Sequence, residues 1–218
     1  MVKIKFPDGA IRSYESGLTP YEIASSISSG LARSIISSDF NGQKIETTTQ
    51  IFDDGNLTFY TWKDNEGKEA FWHSTAHLLA QVLEEFYDGI KLTIGPAISN
   101  GFYYDVDFGE HSMSEKDFLK IEKRMIEIAR EKHEFKLRSI SKKEALDFYK
   151  KNRNQYKTEL IENLKDGEIT FCDHDNFTDL CRGGHIPHTG LIKAVKLMSV
   201  AGAYWRADQN NTQLTRVY

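Results

Sequence analysis

Residues 68–86 constrain this chain most, because they read as one long helix with two distinct faces. Phe71, Thr75, Leu78, Leu79, Val82 and Phe86 recur at helical spacing and form an apolar stripe, while His73, His77, Ala80 and Glu84 form a second face. Residues four apart are neighbours on a helix, so the two imidazoles point the same way, beside the small side chains of Ala76 and Ala80. A helix built like this is suited to line a cavity. Far downstream, Cys181-Arg-Gly-Gly-His185 repeats the four-residue spacing, but its two glycines discourage a helix and favour a loop or strand end. Asp179 stands two residues before Cys181 and shares its side if that segment is extended.

What precedes the helix is β-rich. Val2, Ile4 and Phe6 alternate with Lys3 and Lys5, as in a half-buried strand, and Pro7-Asp8-Gly9 turns the chain toward a second strand over 10–14. Thr19-Pro20-Tyr21-Glu22 opens a helix with a capping box and a proline at its first position, Ile23 and Ile27 on its buried face, and Gly30 as its expected stop. Asn41-Gly42 and Asp54-Gly55 are turns, with Leu57, Phe59 and Tyr60 in a closing strand. Hairpin, helix and further strands predict a small ubiquitin-like β-grasp domain over residues 1–62. The polar run Lys63–Lys68 marks the boundary. Residues 63–218 alternate strands (92–94, 102–106, 168–172, 194–200) with helices starting at Ser114 and Ser141, which predicts a larger α+β domain.

Composition narrows the function classes. No apolar run is long enough to span a membrane, and the alternating N-terminus is unlike a signal peptide. Two cysteines, Cys172 and Cys181, provide no disulfide framework, which points to a reducing cytoplasm. The net charge of −4 opposes indiscriminate nucleic-acid binding. Lys142, Lys143, Lys150, Lys151 and Arg153 read as a solvated face, and Cys172 as a small core residue.

The chemistry lies in the histidines and Cys181. His73-x-x-x-His77 lacks the glutamate of the zinc-protease pattern. If His73, His77, Cys181 and His185 converge, they offer three imidazoles and a thiolate, a tetrahedral shell for zinc. The competing reading is metal-free, with a histidine polarising water while the other groups shape the pocket.

Several separated stretches resemble one family in the same order. They are His73-Ser-Thr-Ala-His77-Leu-Leu-Ala, Gly95-Pro96, Asn100-Gly-Phe-Tyr-Tyr-Asp105, Tyr156-Lys157-Thr-Glu-Leu-Ile161, Asp179-Leu-Cys181-Arg-Gly-Gly-His185 and Ala201-Gly-Ala-Tyr-Trp-Arg-Ala-Asp208. With the β-grasp start, they are similar to the N-terminal half of bacterial-type threonyl-tRNA synthetases. That half is a TGS domain followed by an editing domain of the threonyl/alanyl-tRNA synthetase second additional domain type. The family's aminoacylation core and anticodon-binding domain have no counterpart, so the chain looks like an excised fragment. It departs from the family at Gly184, where a proline is usual.

The resemblance implies an ester hydrolase that removes serine from mischarged seryl-tRNA(Thr). It places His73 and Lys157 in the hydrolytic role, with His77, Asp179, Cys181, His185 and Tyr104 binding substrate. Within that set, Cys181 faces the seryl side chain and Asp179 the α-ammonium. It implies no metal requirement for editing. Zinc, if bound, would sit on His73, His77, Cys181 and His185, whereas ATP, magnesium and the family's established zinc belong to the absent core. The implied partner is tRNA(Thr), in a full-length homodimer joined through that core, and no membrane. Two other readings stay open: a free-standing zinc-dependent trans-editing deacylase, and a non-catalytic RNA-binding module.

Overall fold

Alternating burial of Val2 and Ile4 against exposed Lys3 and Lys5 sets strand β1 (Val2–Lys5) in the computed structural model, which describes residues 1–218. Two compact units emerge. One comprises Met1–Phe71 with Gly183–His188, and the other Trp72–Arg182 with Thr189–Tyr218. The first unit thus extends past the boundary expected at residues 62/63 and includes a short distant segment.

In the first unit β1 pairs antiparallel with β2 (Ile11–Tyr14). Helix α1 (Pro20–Ile27) carries the expected capping box: the Thr19 hydroxyl accepts from the Glu22 amide, and the Glu22 carboxylate accepts from the Thr19 amide. The helix does not run to Gly30. Ser28 is extended, and its hydroxyl accepts from the Gly30 and Leu31 amides, so it ends α1 and caps α2 (Ser29–Ser34), which contains Gly30. Strands β3 (Ile35–Phe40), β4 (Gln43–Ile45) and β5 (Gly55–Thr61) complete a sheet of order β2-β1-β5-β3-β4, with β5 parallel to β1. Asn41-Gly42 makes the β3–β4 turn with positive φ at both residues. Val2, Ile4, Phe6, Ile23, Ile51 and Leu57 form the core between sheet and helix. This is a β-grasp.

Helix α3 (Asn65–Phe86) starts three residues before Lys68, because the Asp64 carboxylate folds back to accept from the Thr61 amide and hydroxyl while its carbonyl accepts the Lys68 amide. The apolar stripe is only part of its burial. Leu78, Leu79, Val82, Ala76, Ala80 and Leu83 are all inaccessible, so the middle of the helix is enclosed on every side, whereas Phe86 is exposed.

The second unit has the short strand β6 (Lys91–Leu92), the hairpin β7 (Ala97–Ile98) and β8 (Gly101–Phe102), β9 (Tyr104–Asp107), α4 (Phe118–Glu131), β10 (Lys136–Ser139), α5 (Lys142–Lys151) and α6 (Gln155–Glu162). It ends with β11 (Thr170–His174), β12 (Phe177–Leu180), β13 (Val200–Tyr204) and β14 (Gln213–Val217). The larger sheet runs β13-β14-β9-β6 and the smaller β10-β11-β12. The strand expected over 194–200 begins only at Val200. In the segment before it the Leu197 amide donates to the Glu122 carboxylate at 2.8 Å instead of joining a ladder. Ser141 and Glu144 form the expected capping box on α5. Cys172 is fully buried, and Lys143, Lys150, Lys151 and Arg153 are exposed. No helix is long and apolar enough to cross a membrane.

Candidate active site

One turn of α3 brings His73 and His77 together, with their Nε2 atoms 3.1 Å apart. The Cys181 Sγ lies 3.4 Å from His73 Nε2. Cys181 just follows β12 and is held there from both sides of its backbone: its amide donates to the Thr170 carbonyl at 3.0 Å, and its carbonyl accepts from the Thr170 hydroxyl. Alternation along β12 buries Phe177, Asp179 and Cys181 on one side, as an extended segment requires. His77 and Cys181 are buried, while His73 keeps partial access to solvent. A water molecule can therefore reach the imidazole that stands between the other two groups.

Asp179 is the electrostatic centre of the second unit. Its Oδ1 accepts from Lys157 Nζ at 2.6 Å and the Tyr149 hydroxyl at 3.1 Å, and its Oδ2 accepts from the Tyr104 hydroxyl at 2.7 Å. His77 Nδ1 is 4.0 Å from Oδ2. Each donor is fixed by its element. Asn154 caps α6 by accepting from the Lys157 amide and anchors it by donating to the Leu92 carbonyl. Tyr149, on α5, also accepts from the Leu180 amide at 2.7 Å, tying the helix to β12. Tyr104 lies on β9 with its ring against the Gly95 backbone, where any Cβ would collide with it. Burial first, and the Asp179 charge second, push both tyrosine hydroxyls well above the ordinary phenol range, so both stay neutral and keep the proton they donate to Asp179. Glu84 is an exposed residue, but neighbouring protein partly desolvates its carboxylate end. That desolvation is the largest cause, the Asp179 charge the second and Lys157 an opposing one, and together they push the carboxyl up to about 7.

His185 belongs to the first unit. It is fully buried, and its Nδ1 lies 2.7 Å from Oε1 of Glu46, just after β4. Gly184, the departure from the family pattern, has φ +83°, and the Lys44 side chain lies 3.3 Å from where its Cβ would stand. Proline, locked near φ −65°, does not fit that conformation. Tyr149, Asn154 and Glu46 were absent from the sequence-derived site. Tyr149 sits on the apolar face of a helix and reads as core. Glu46 carries no local signal, because its partner is 139 positions away.

The donor set suits a metal. The ligand atoms of His73, His77 and Cys181 lie within 4.8 Å of one another. Zinc bond lengths imply ligand–ligand edges of about 3.3–3.6 Å in a tetrahedron, close to the 3.1 Å and 3.4 Å observed. These side chains would hold zinc, and zinc would supply a Lewis acid and an acidified water.

The fold and these sites define a TGS domain joined to a tRNA-synthetase accessory domain. The TGS domain model matches residues 2–61, and the model for the threonyl and alanyl tRNA synthetase second additional domain matches residues 169–218. Over all 218 residues the chain is 66% identical to the threonine–tRNA ligase of Flavobacterium johnsoniae, 63% to that of Flavobacterium psychrophilum and 53% to that of Cytophaga hutchinsonii, covering 33%, 33% and 34% of those proteins. The chain is a TGS and second-additional-domain region of the threonyl-tRNA synthetase family, and it spans about a third of the length of the curated relatives it matches.

Proposed function

We propose that this region hydrolyses the ester of seryl-tRNA(Thr), acting as the editing site of a threonine–tRNA ligase in the cytoplasm. The observation that carries the reading is the half-accessible His73 imidazole, set between His77 and Cys181. In this reading His73 takes a proton from water, directly or through the neighbouring ribose hydroxyl, as that water attacks the ester carbonyl carbon. The carbonyl electrons move onto oxygen, and Lys157 stabilises the oxyanion. Collapse breaks the bond to the ribose oxygen, which takes up a proton, and serine leaves.

Asp179 orients Lys157 through the contact of 2.6 Å between Oδ1 and Nζ. A carboxylate has about four acceptor sites, and three are filled by the protein's own donors, so a substrate α-ammonium would take the fourth. Tyr104 acts through Asp179. Cys181 is the wall against which threonine's extra methyl collides, and His77 and His185 complete the substrate surface.

Such a second site meets a physical need. One methyl group changes binding in a pocket by only about 1–3 kcal/mol, so a synthetic site that accepts threonine also accepts serine. In this reading ATP, magnesium and a homodimer contact would serve aminoacylation and not the hydrolysis proposed for this region. Hydrolysis as proposed requires no metal. The geometry of His73, His77 and Cys181 favours a second reading, in which zinc held there activates the water. Deacylation of seryl-tRNA(Thr), with and without chelator, tests both. The metal-free reading predicts equal rates and a rate lost in His73→Ala with the fold retained. Loss on chelation and recovery with zinc would favour the second.

A further inference from the structure

We infer that Glu46, in the β-grasp unit, is a positioning residue that fixes the ring and tautomer of His185. The inference rests on His185 belonging to the editing site proposed above. Glu46 Oε1 lies 2.7 Å from His185 Nδ1, and both side chains are buried, at 3% and 0% exposure. A carboxylate accepts hydrogen bonds, so the proton of this contact sits on Nδ1 and the ring is held with that nitrogen toward Glu46. The backbone that carries this side chain is fixed. The Glu46 carbonyl accepts from the Thr49 amide, and the next carbonyl, of Thr47, accepts from the Tyr21 amide in the first turn of α1.

The pair is a poor device for stability alone. Glu46 Oε2 and the Thr47 hydroxyl are buried with no hydrogen-bond partner. A buried polar atom left without a partner costs free energy that an apolar side chain in its place would not. A carboxylate behind an imidazole does what no apolar residue can: it selects which nitrogen faces the chemistry and raises that nitrogen's basicity. Gly183–His188 belongs to the same compact unit as Met1–Phe71, so Glu46 and His185 lie in one unit although 139 positions apart.

The test compares the 218-residue chain with Glu46→Gln and Glu46→Ala. Nitrogen-15 spectra of the histidine rings report the tautomer, and deacylation of seryl-tRNA(Thr) reports function. In the parent, His185 should carry its proton on Nδ1. Glu46→Gln, whose amide oxygen still accepts, should keep that tautomer and most of the rate. Glu46→Ala should mix the tautomers and lower kcat about 10–100-fold with little change in KM. A parent ring protonated only on Nε2 would overturn the inference. So would a Glu46→Ala chain with unchanged spectrum and rate, or equal losses in the two variants. If Glu46→Ala does not fold, the parent and Glu46→Gln spectra still decide. If the parent hydrolyses no seryl-tRNA(Thr), the editing proposal fails while the spectra still judge the Glu46–His185 pair.

Discussion

Asparagine at position 179 should destabilise this protein more than methionine at position 157, although the two changes break the same ion pair. Lys157 and Asp179 are each 3% exposed, and Nζ lies 2.6 Å from Oδ1. Asp179→Asn preserves shape and leaves polar atoms for the two tyrosines, but it strands an ammonium in a buried site. Removing one partner of a buried pair costs about 3–5 kcal/mol. Lys157→Met leaves the carboxylate with hydrogen bonds from Tyr104 at 2.7 Å and Tyr149 at 3.1 Å. These bonds satisfy the carboxylate that remains, so the cost should lie at or below the low end of that range, roughly 1–3 kcal/mol. The double variant contains neither charge and should be more stable than Asp179→Asn alone, with a coupling of about 2 kcal/mol. Urea unfolding, followed by circular dichroism and tryptophan fluorescence, gives all four free energies. Equal costs for the single variants, or strictly additive ones, would refute the view that the two tyrosines satisfy the carboxylate better than Glu84 and a neutral amide oxygen satisfy the lysine.

Cys181→Ala should open the site, so that threonyl-tRNA(Thr) is attacked as well as seryl-tRNA(Thr); unchanged discrimination would remove Cys181 as the sieve. Gly184→Ala places a Cβ at φ +83° against Lys44, and should lower stability by about 1–2 kcal/mol in thermal unfolding; no change would mean that the loop does not hold this conformation in solution. Glu84 gives a pH signature. Its folded carboxyl lies at about 7, above the ordinary 4.5. The folded state therefore holds this proton where the unfolded chain has lost it, and stability should fall as pH rises from about 4.5 to about 7 and then level. Glu84→Gln should flatten that part of the profile, and an unaltered slope would locate the titration elsewhere.

Sequence alone revealed what short-range physics decides. The alternation in Val2–Phe6, the capping boxes at Thr19 and Ser141, and the turn at Asn41-Gly42 each involve neighbours in the chain. They were legible for that reason. The His73–His77 pair was legible because helical spacing is itself a contact rule. Asp179 and Cys181 were legible as strand neighbours, and Lys157 through family resemblance. The hidden features depend on partners far away or on competing side chains. Tyr149 has the hydropathy of a core residue, and only the fold reveals where its hydroxyl goes. The break at Ser28 arises because one serine both ends α1 and caps α2, a competition that the glycine at position 30 does not signal. The Leu197 segment matches a strand in composition, yet its backbone is captured by Glu122.

The most direct measurement is the rate at which the purified chain releases amino acid from seryl-tRNA(Thr) and from threonyl-tRNA(Thr), alongside the same chain with His73→Ala. Rapid release of serine, little release of threonine and neither in the variant is the result the proposed editing chemistry requires. Equal release from both esters, or full serine release without the His73 imidazole, would contradict it.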